Sequence, residues 1–434
     1  MYAGRVRVLS GDYLLPEVHL TRFASTYLTS FRYPLLPGLR EIRIFKFFEY
    51  EWTILLSLCS TKLKLVDLHS ENENESECIL GAFLHSLGCN KSHGLEKLTL
   101  ATLRDSYVDS ITKFHMLQDV QLWLSAASGQ PLVEGFSKLS ALNHLSRLHV
   151  SWEDDSKHHS LVSPLLPPHS VNFQSLHSIE IGVPTYIALV LVQCLRADTL
   201  KCIQVECISS SLRQPTSFRQ IVDECGLVAP GLQEVDLGFR GNQAAGRETF
   251  DAVLNLTRRF RLRKLIFKSS WLEFDDAHIV RACLSHCFSH LEVLHLSSFQ
   301  YGLDSSQTFQ VLRSLATHCP LLNSLIMSLT VEKQHLPLLK REMENEHYLS
   351  HRLKSLNIYI QDKPKTTEFF ANAESIPVLS LYLDSLFPSL DRCCIRGCSK
   401  FGAIEAGIRL ILKGLQRRSA VDSRRLVGSQ VTNL

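Results

Sequence analysis

The sequence predicts an α/β solenoid, with a curved parallel sheet on one side and helices on the other. Three observations carry that reading: a short apolar pattern repeated along the chain, a two-residue period within each copy, and a helical period between copies. The pattern is apolar-x-x-apolar-x-apolar, and thirteen copies recur at intervals of about 22 to 37 residues. They read LREIRI from Leu39, LKLVDL from Leu63, LEKLTL from Leu95, LQDVQL from Leu117, LSRLHV from Leu145 and LHSIEI from Leu176. The series continues with LKCIQV from Leu200, LQEVDL from Leu232, LRKLIF from Leu262, LEVLHL from Leu291, LNSLIM from Leu322, LKSLNI from Leu353 and LDRCCI from Leu390. Each copy must bury its strand residues against its neighbours, and a ladder built that way serves as a binding surface far more often than as a catalyst.

Within a copy the alternation is that of a strand. In LEKLTL it sends Leu98 and Leu100 inward, and Lys97, Thr99 and Ala101 outward. Ahead of the copies the spacing turns helical. Phe309, Leu312, Leu315 and Ala316 share one face before Cys319-Pro320-Leu321, as do Phe250, Val253, Leu254 and Thr257 before LRKLIF. Strand, loop, helix, loop is therefore the unit, and right-handed crossovers make the strands parallel.

The loops vary. Glu71 to Glu77 is an acidic, solvated insertion, and Glu153-Asp154-Asp155 with Pro164, Pro167 and Pro168 marks a second. The longest interval, from LKSLNI to LDRCCI, holds Lys363-Pro364-Lys365 and reads as an irregular excursion. After the last copy, Ile404, Ile408, Ile411 and Leu415 form a stripe flanked by Arg409, Lys413, Arg417 and Arg418. A partner helix or a membrane-surface helix fits that stripe, but a cap over the open end of the stack fits better. The division expected is residues 1–30 as an N-terminal cap or first irregular repeat, 31–400 as repeats, 401–418 as a capping helix and 419–434 as a flexible tail.

Composition narrows the function classes. A chain of 434 residues with 45% hydrophobic and 21% charged residues is folded rather than disordered. A net charge of +3 gives no electrostatic footprint for nucleic acid. The thirteen cysteines are odd in number and follow no apolar leader, since Met1 runs directly into Tyr2-Ala3-Gly4-Arg5. Cys202, Cys319 and Cys393 occupy repeat positions that suit small buried thiols, so a reducing cytoplasmic or nuclear setting is expected. The longest apolar run, Tyr186 to Leu195, is about half the length of a membrane span.

The lead-in segments Pro34-Leu35-Leu36-Pro37-Gly38-Leu39, Ala229-Pro230-Gly231-Leu232, Cys319-Pro320-Leu321-Leu322 and Phe387-Pro388-Ser389-Leu390 resemble those of leucine-rich repeats. In particular they resemble the irregular repeats of fungal F-box proteins, in which a small residue or cysteine, then proline and leucine, leads into each strand. The opening Tyr2 to Leu9 looks like the stretch that begins the repeat region there. The resemblance covers most of the chain and implies a leucine-rich-repeat solenoid. It also implies that the repeats hold an unidentified protein substrate, while an F-box docks on the Skp-type adaptor of a cullin-based ubiquitin ligase. The F-box itself is absent, because Pro34 to Gly38 is embedded in the first repeat. Since the chain starts where such repeat regions start, an F-box is expected upstream of Met1 or lost in a paralogue. The alternative is an intracellular repeat scaffold with no ubiquitin link.

No catalytic pattern emerges: the sequence has no Gly-rich phosphate loop, no G-x-S-x-G elbow and no H-E-x-x-H. The protein is expected to be no enzyme and to need no cofactor. The best metal candidate is Cys283, His286, Cys287 and His290, which share a face if they lie on a helix. Four ligands along one straight helix do not surround a tetrahedral ion, so no metal site is expected. The cysteines of Cys393-Cys394-Ile395-Arg396-Gly397-Cys398 alternate across a strand. His149 and His295 fall at outward strand positions with no partner defined by the sequence.

What remains is the outward strand face, where a partner is expected to bind. Glu180, Glu206, Glu234 and Asp236 are expected close together there, followed by Lys264 and Lys268, with Phe45, Trp123 and Tyr359 adding aromatic area. An acidic-then-basic step with aromatic anchors suits recognition by charge complementarity.

Overall fold

The structure, a computed structural model, describes residues 5–11, 34–44, 55–56, 58–69, 77–89, 94–100, 105–124, 135–152, 170–208, 218–240, 247–269, 275–298, 307–344, 349, 351–360, 364–396, 406–408 and 410–415. Both acidic or proline-marked insertions (71–76 and 153–169), Phe45, Ile404 and the tail fall outside them. The chain divides into two compact units. One comprises Met1–Gln214 with Glu224–Gly231, the other Pro215–Asp223 with Leu232–Leu434.

The first unit carries β1 (Val8–Gly11), β2 (Glu41–Ile44), β3 (Leu65–Leu68), α1 (Glu77–Cys89), β4 (Lys97–Leu100), α2 (Asp105–Ile111), β5 (Asp119–Leu124) and β6 (Arg147–Trp152). It goes on with β7 (Val171–Asn172), β8 (Ser178–Pro184), α3 (Thr185–Cys194), β9 (Leu195–Arg196) and β10 (Cys202–Ile208). Its strands pair in parallel in the order β1-β2-β3-β4-β5-β6-β8-β10, while β7 and β9 form a separate short pair. Helix α4 (Phe218–Val228) gives its first six residues to the second unit and the rest to the first.

The second unit carries β11 (Glu234–Arg240), α5 (Arg247–Arg259), β12 (Lys264–Ser269), α6 (Asp276–Leu284), β13 (Val293–Ser298), α7 (Gln310–His318) and β14 (Ser324–Leu329). It ends with α8 (His335–Glu344), β15 (Ser355–Ile360), α9 (Pro364–Ala371), α10 (Ser375–Leu386) and β16 (Arg392–Arg396). Strands β11 to β16 pair in parallel in chain order.

Each of the thirteen apolar copies is a strand, and β1 adds one ahead of them. The same steps recur along both units. The first leucine of each copy, from Leu39 to Leu390, is at most 3% exposed. Its amide often closes a tight turn, as where Leu117 N–H donates to Phe114 C=O (3.0 Å) or Leu322 N–H to Cys319 C=O (3.1 Å). The next two amides then share one carbonyl of the preceding layer. Gln118 and Asp119 both donate to Glu96 C=O (2.8 and 3.1 Å), and Asn323 and Ser324 to Glu292 C=O (2.8 and 3.1 Å). That shared bond fixes the register, and with it which side chains face inward.

Side chains replace the turn where the backbone departs from it. Buried His351 accepts from Leu353 N–H through Nδ1 (3.0 Å) and donates from Nε2 to Cys319 C=O (2.7 Å). Burial lowers its pKa, which keeps the imidazole neutral for that double role.

The helical stripes pack as the spacing predicts. Phe309, Leu312, Leu315 and Ala316 are buried, as are Phe250, Val253, Leu254 and Thr257. The interval from LKSLNI to LDRCCI differs from expectation: α9 and α10 replace the irregular excursion. Pro364 stands at the first helical position, where a missing N–H removes no intrahelical bond. At the C-terminal end, residues 406–408 and 410–415 are helical, with Ile408 and Leu412 buried and Gly407 against Ile376 of α10. Among the described residues, no helix is long and apolar enough to cross a membrane.

The described cysteines are free thiols. Cys319 and Cys393 are buried as expected, and burial pushes the Cys59 and Cys225 thiols up to about 11 and about 12, which keeps them protonated. Cys202 departs from expectation. It sits on the outward row of β10, half-buried, because the strand pattern gives the inward positions to Ile203, Val205 and Cys207.

The alternation sets up a direct test in the second unit. Leu265→Ala, at a fully buried inward position, is expected to lower unfolding free energy by about 3 kcal/mol. Ile266→Ala, on the other face of β12, should cost under about 1 kcal/mol, as read from urea denaturation.

Candidate functional site

Inward positions with described burial are buried from β2 onward, so the exposed chemistry of these strands lies on the outward rows. Register places those rows side by side, with neighbouring strands about 4.8 Å apart. In the first unit one row runs Arg43, Asp67, Thr99, Gln121, His149, Glu180 and Gln204 across β2 to β10. The next row includes Trp123, Ser151, Gly182 and Glu206.

Trp123 is the centre of this face. Its ring centroid lies 6.0 Å from that of His69 and 6.0 Å from that of His149. His69 follows β3, two strands from β5, so the indole reaches back over β4, where Thr99 is only 2% exposed. Each histidine is backed by a carboxylate. His69 Nε2 lies 3.0 Å from Asp67 Oδ1, and His149 Nδ1 lies 2.8 Å from Glu180 Oε2. Gln204 Nε2 donates to the other Glu180 oxygen at 2.8 Å. The His149 hydrogen bond holds the Glu180 carboxyl below its ordinary pKa against the opposing effect of partial burial.

The sequence marks His149 as having no defined partner; the register supplies Glu180. It does not bring Glu180 and Glu206 into one row, because Glu206 stands opposite Gly182 and Glu180 opposite Gln204. Two further ion pairs lie on this face, Lys97 with Asp119 at 3.2 Å and Arg43 with Glu41 at 2.9 Å.

In the second unit, Glu234 and Asp236 of β11 face Lys264 and Lys268 of β12 at 3.6 and 3.5 Å. Each acid meets a base on the adjacent strand, so the acidic-then-basic step exists here as two cross-strand pairs. Exposed pairs of this kind add little stability. Beyond them lies His295, whose register partners are Ile266 and Ile326. Its Nε2 lies 2.7 Å from Ser297 Oγ, and burial, reinforced by the Lys268 charge, pushes its pKa down to about 4. Tyr359 of β15 lies opposite Arg396 of β16, with the guanidinium 6.0 Å from the ring centre.

The Cys283 to His290 segment is not one helical face. Helix α6 opens on a capping box between Asp275 and His278 and ends at Leu284, and His286 takes a left-handed φ of 57°. Cys283 and Cys287 are buried while His286 and His290 are exposed. Arg258 Nε donates to Cys287 Sγ at 3.1 Å. Among the described residues, no group of three or more His, Cys, Asp or Glu side chains is placed to hold a metal ion. A cavity of about 320 Å³ is lined by Thr308, Gln310, Gln334, His335, Pro337 and Leu338, at the N-terminal ends of α7 and α8. It lies on the helices rather than on the strand face.

No protein-family model matches the chain, and no curated protein is similar to it. Among solved structures, it is similar to a chain in the crystal structure of the Rad7 and Elc1 complex in yeast. Identity is 15% and the TM-score 0.35, over 76% of this chain and 73% of that one. So distant a likeness adds nothing to a functional reading.

The depressed pKa of His295 has a sign that can be measured. An unfolded histidine takes up its proton near pH 6.5, the folded one only near pH 4. Stability from the neutral form is therefore complete above pH 6.5 and lost as pH falls toward 4, by about 2 kcal/mol after discounting for solvent screening. His295→Gln should flatten that slope in urea titrations across this window.

Proposed function

We propose that this chain is a protein-binding repeat module whose outward strand faces hold the partner. One observation carries the reading. From β2 onward the inward side of the strands is buried, and the outward side is largely half-exposed and carries cross-strand ion pairs, histidines, Trp123 and Tyr359. A face fixed by the register of its strands binds with little ordering cost.

The sequence likeness to F-box proteins extends the proposal. The partner is then a substrate presented to a cullin-type ubiquitin ligase, through a Skp-type adaptor docked on an F-box that accompanies the chain. The alternative is an intracellular scaffold with no ubiquitin link. In both, the mechanism is non-covalent positioning in the cytoplasm or nucleus, without cofactor or bond chemistry, and without nucleic acid or membrane as partner. Glu180, Glu206, Glu234, Asp236, Lys264 and Lys268 supply the polar contacts, and Phe45, Trp123 and Tyr359 the aromatic ones.

The test is affinity purification of the full-length protein, wild type against Glu234→Lys with Asp236→Lys. The substitutions place like charges beside Lys264 and Lys268, and capture of the partner should fall about tenfold or more. Stability should change by no more than about 1 kcal/mol. Unchanged capture removes this patch from the interface. A Skp-type adaptor in the purified complex supports the ligase form; a stable partner without one supports the scaffold.

A further inference from the structure

Helix α1 carries two side chains that the strand-face reading does not use. Cys89 Sγ lies 3.3 Å from His85 Nε2, one helical turn back, and both residues are exposed. Among the described cysteines Cys89 alone is exposed, Cys202 and Cys394 being half-buried and the others buried. The thiol most open to solvent therefore also has an imidazole within hydrogen-bond reach.

A thiol becomes a nucleophile by losing its proton, and a hydrogen-bonded base at this distance can remove it. His85 Nε2 is placed to do so, and the imidazolium then formed stays beside the thiolate. The C-terminal end of a helix disfavours a bare anion, so neighbouring cations decide whether that thiolate persists. Lys113, in the turn after α2, brings a second cation close. Its Cδ lies 3.3 Å from where a Cβ on Gly88 would stand, so its chain runs beside the residue before Cys89. The other described charge on α2, Asp109, is paired with Lys138 at 3.0 Å. From the preceding layer, the Cys59 thiol meets Ser86 of α1, and burial keeps that thiol neutral.

Other thiols have one of the two requirements without the other. Cys287 has Arg258 Nε and Ser285 Oγ each at 3.1 Å, but it is only 5% exposed. Cys225 is fully buried and held protonated. Access and a proton acceptor coincide at Cys89.

We propose that Cys89 is a site of reversible thiolation by low-molecular-weight disulfides, with His85 as its general base. His85 Nε2 takes the thiol proton, and the Cys89 sulfur attacks one sulfur of the small disulfide. A new S–S bond forms while the old one breaks. The electron pair of the broken bond leaves on the second sulfur, which then takes the proton from His85. Cys89 is oxidised, the small disulfide is reduced, and one free thiol is released. Helix α1 stands outside the outward strand rows, so this site goes beyond the partner-binding reading and does not depend on it.

The experiment incubates the full chain, its cysteines reduced, with glutathione disulfide and locates adducts by peptide mass mapping. The expected result is a single adduct on Cys89 that dithiothreitol removes and Cys89→Ser abolishes. His85→Gln should slow its formation about fivefold or more near pH 7. Above about pH 9.5, where hydroxide takes the thiol proton unaided, the two rates should agree. Both residues are exposed, so neither substitution disturbs the core. An adduct chiefly at another cysteine, or none at all, overturns the proposal. So does a His85→Gln rate that is unchanged near pH 7, or lowered equally at both pH values, since the imidazole is then no base.

Discussion

Everything in this fold depends on a carbonyl shared between layers. Within each unit, the second residue of an apolar copy accepts two amides from the copy that follows, and the buried leucine before it holds the backbone in place. Because side chains alternate along a strand, a slip of one residue would turn every inward leucine to solvent. The leucines therefore fix the register, and the register decides which polar side chains meet.

The functional consequences follow from that constraint. Trp123 reaches His69 and His149 only because β3, β5 and β6 keep their spacing, and His149 finds Glu180 only because their positions in adjacent copies coincide. In the second unit the same rule sets Lys264 against Glu234 and places His295 between Ile266 and Ile326, where a charged imidazole is disfavoured. An outward face made this way is fixed by the register of its strands. Its chemistry can change by substitution at outward positions while the leucine framework stays as it is.

Much of this was legible in the sequence, and for a physical reason: strand and helix periods are local, so the thirteen strands and the stripes of α5 and α7 could be read directly. The pairing of outward residues was legible only in part. Asp67, Thr99, Gln121, His149, Glu180 and Gln204 occupy the fifth position of successive copies and could have been aligned. Grouping Glu180 with Glu206 and Glu234 mixed the fifth, seventh and third positions, which lie in different rows. The reach of Trp123 over β4 depends on side-chain torsions that no spacing encodes. Neither does a sequence announce that a histidine at 286 adopts a left-handed backbone, since that conformation is uncommon for any residue but glycine. The helices α9 and α10 were hidden by Pro364, which stops a helix in its interior but opens one at its first position.

A partner seated on the strands leaves the helices as exposed as before. Hydroxyl-radical footprinting of the purified complex reads this by comparing side-chain oxidation with and without the partner. Binding on the strand faces gives slower oxidation of Trp123, His149 and Tyr359 in the complex, with Leu284 of α6, Leu321 and Leu338 of α8 unchanged. Protection of those three leucines, with Trp123, His149 and Tyr359 unaffected, would contradict it.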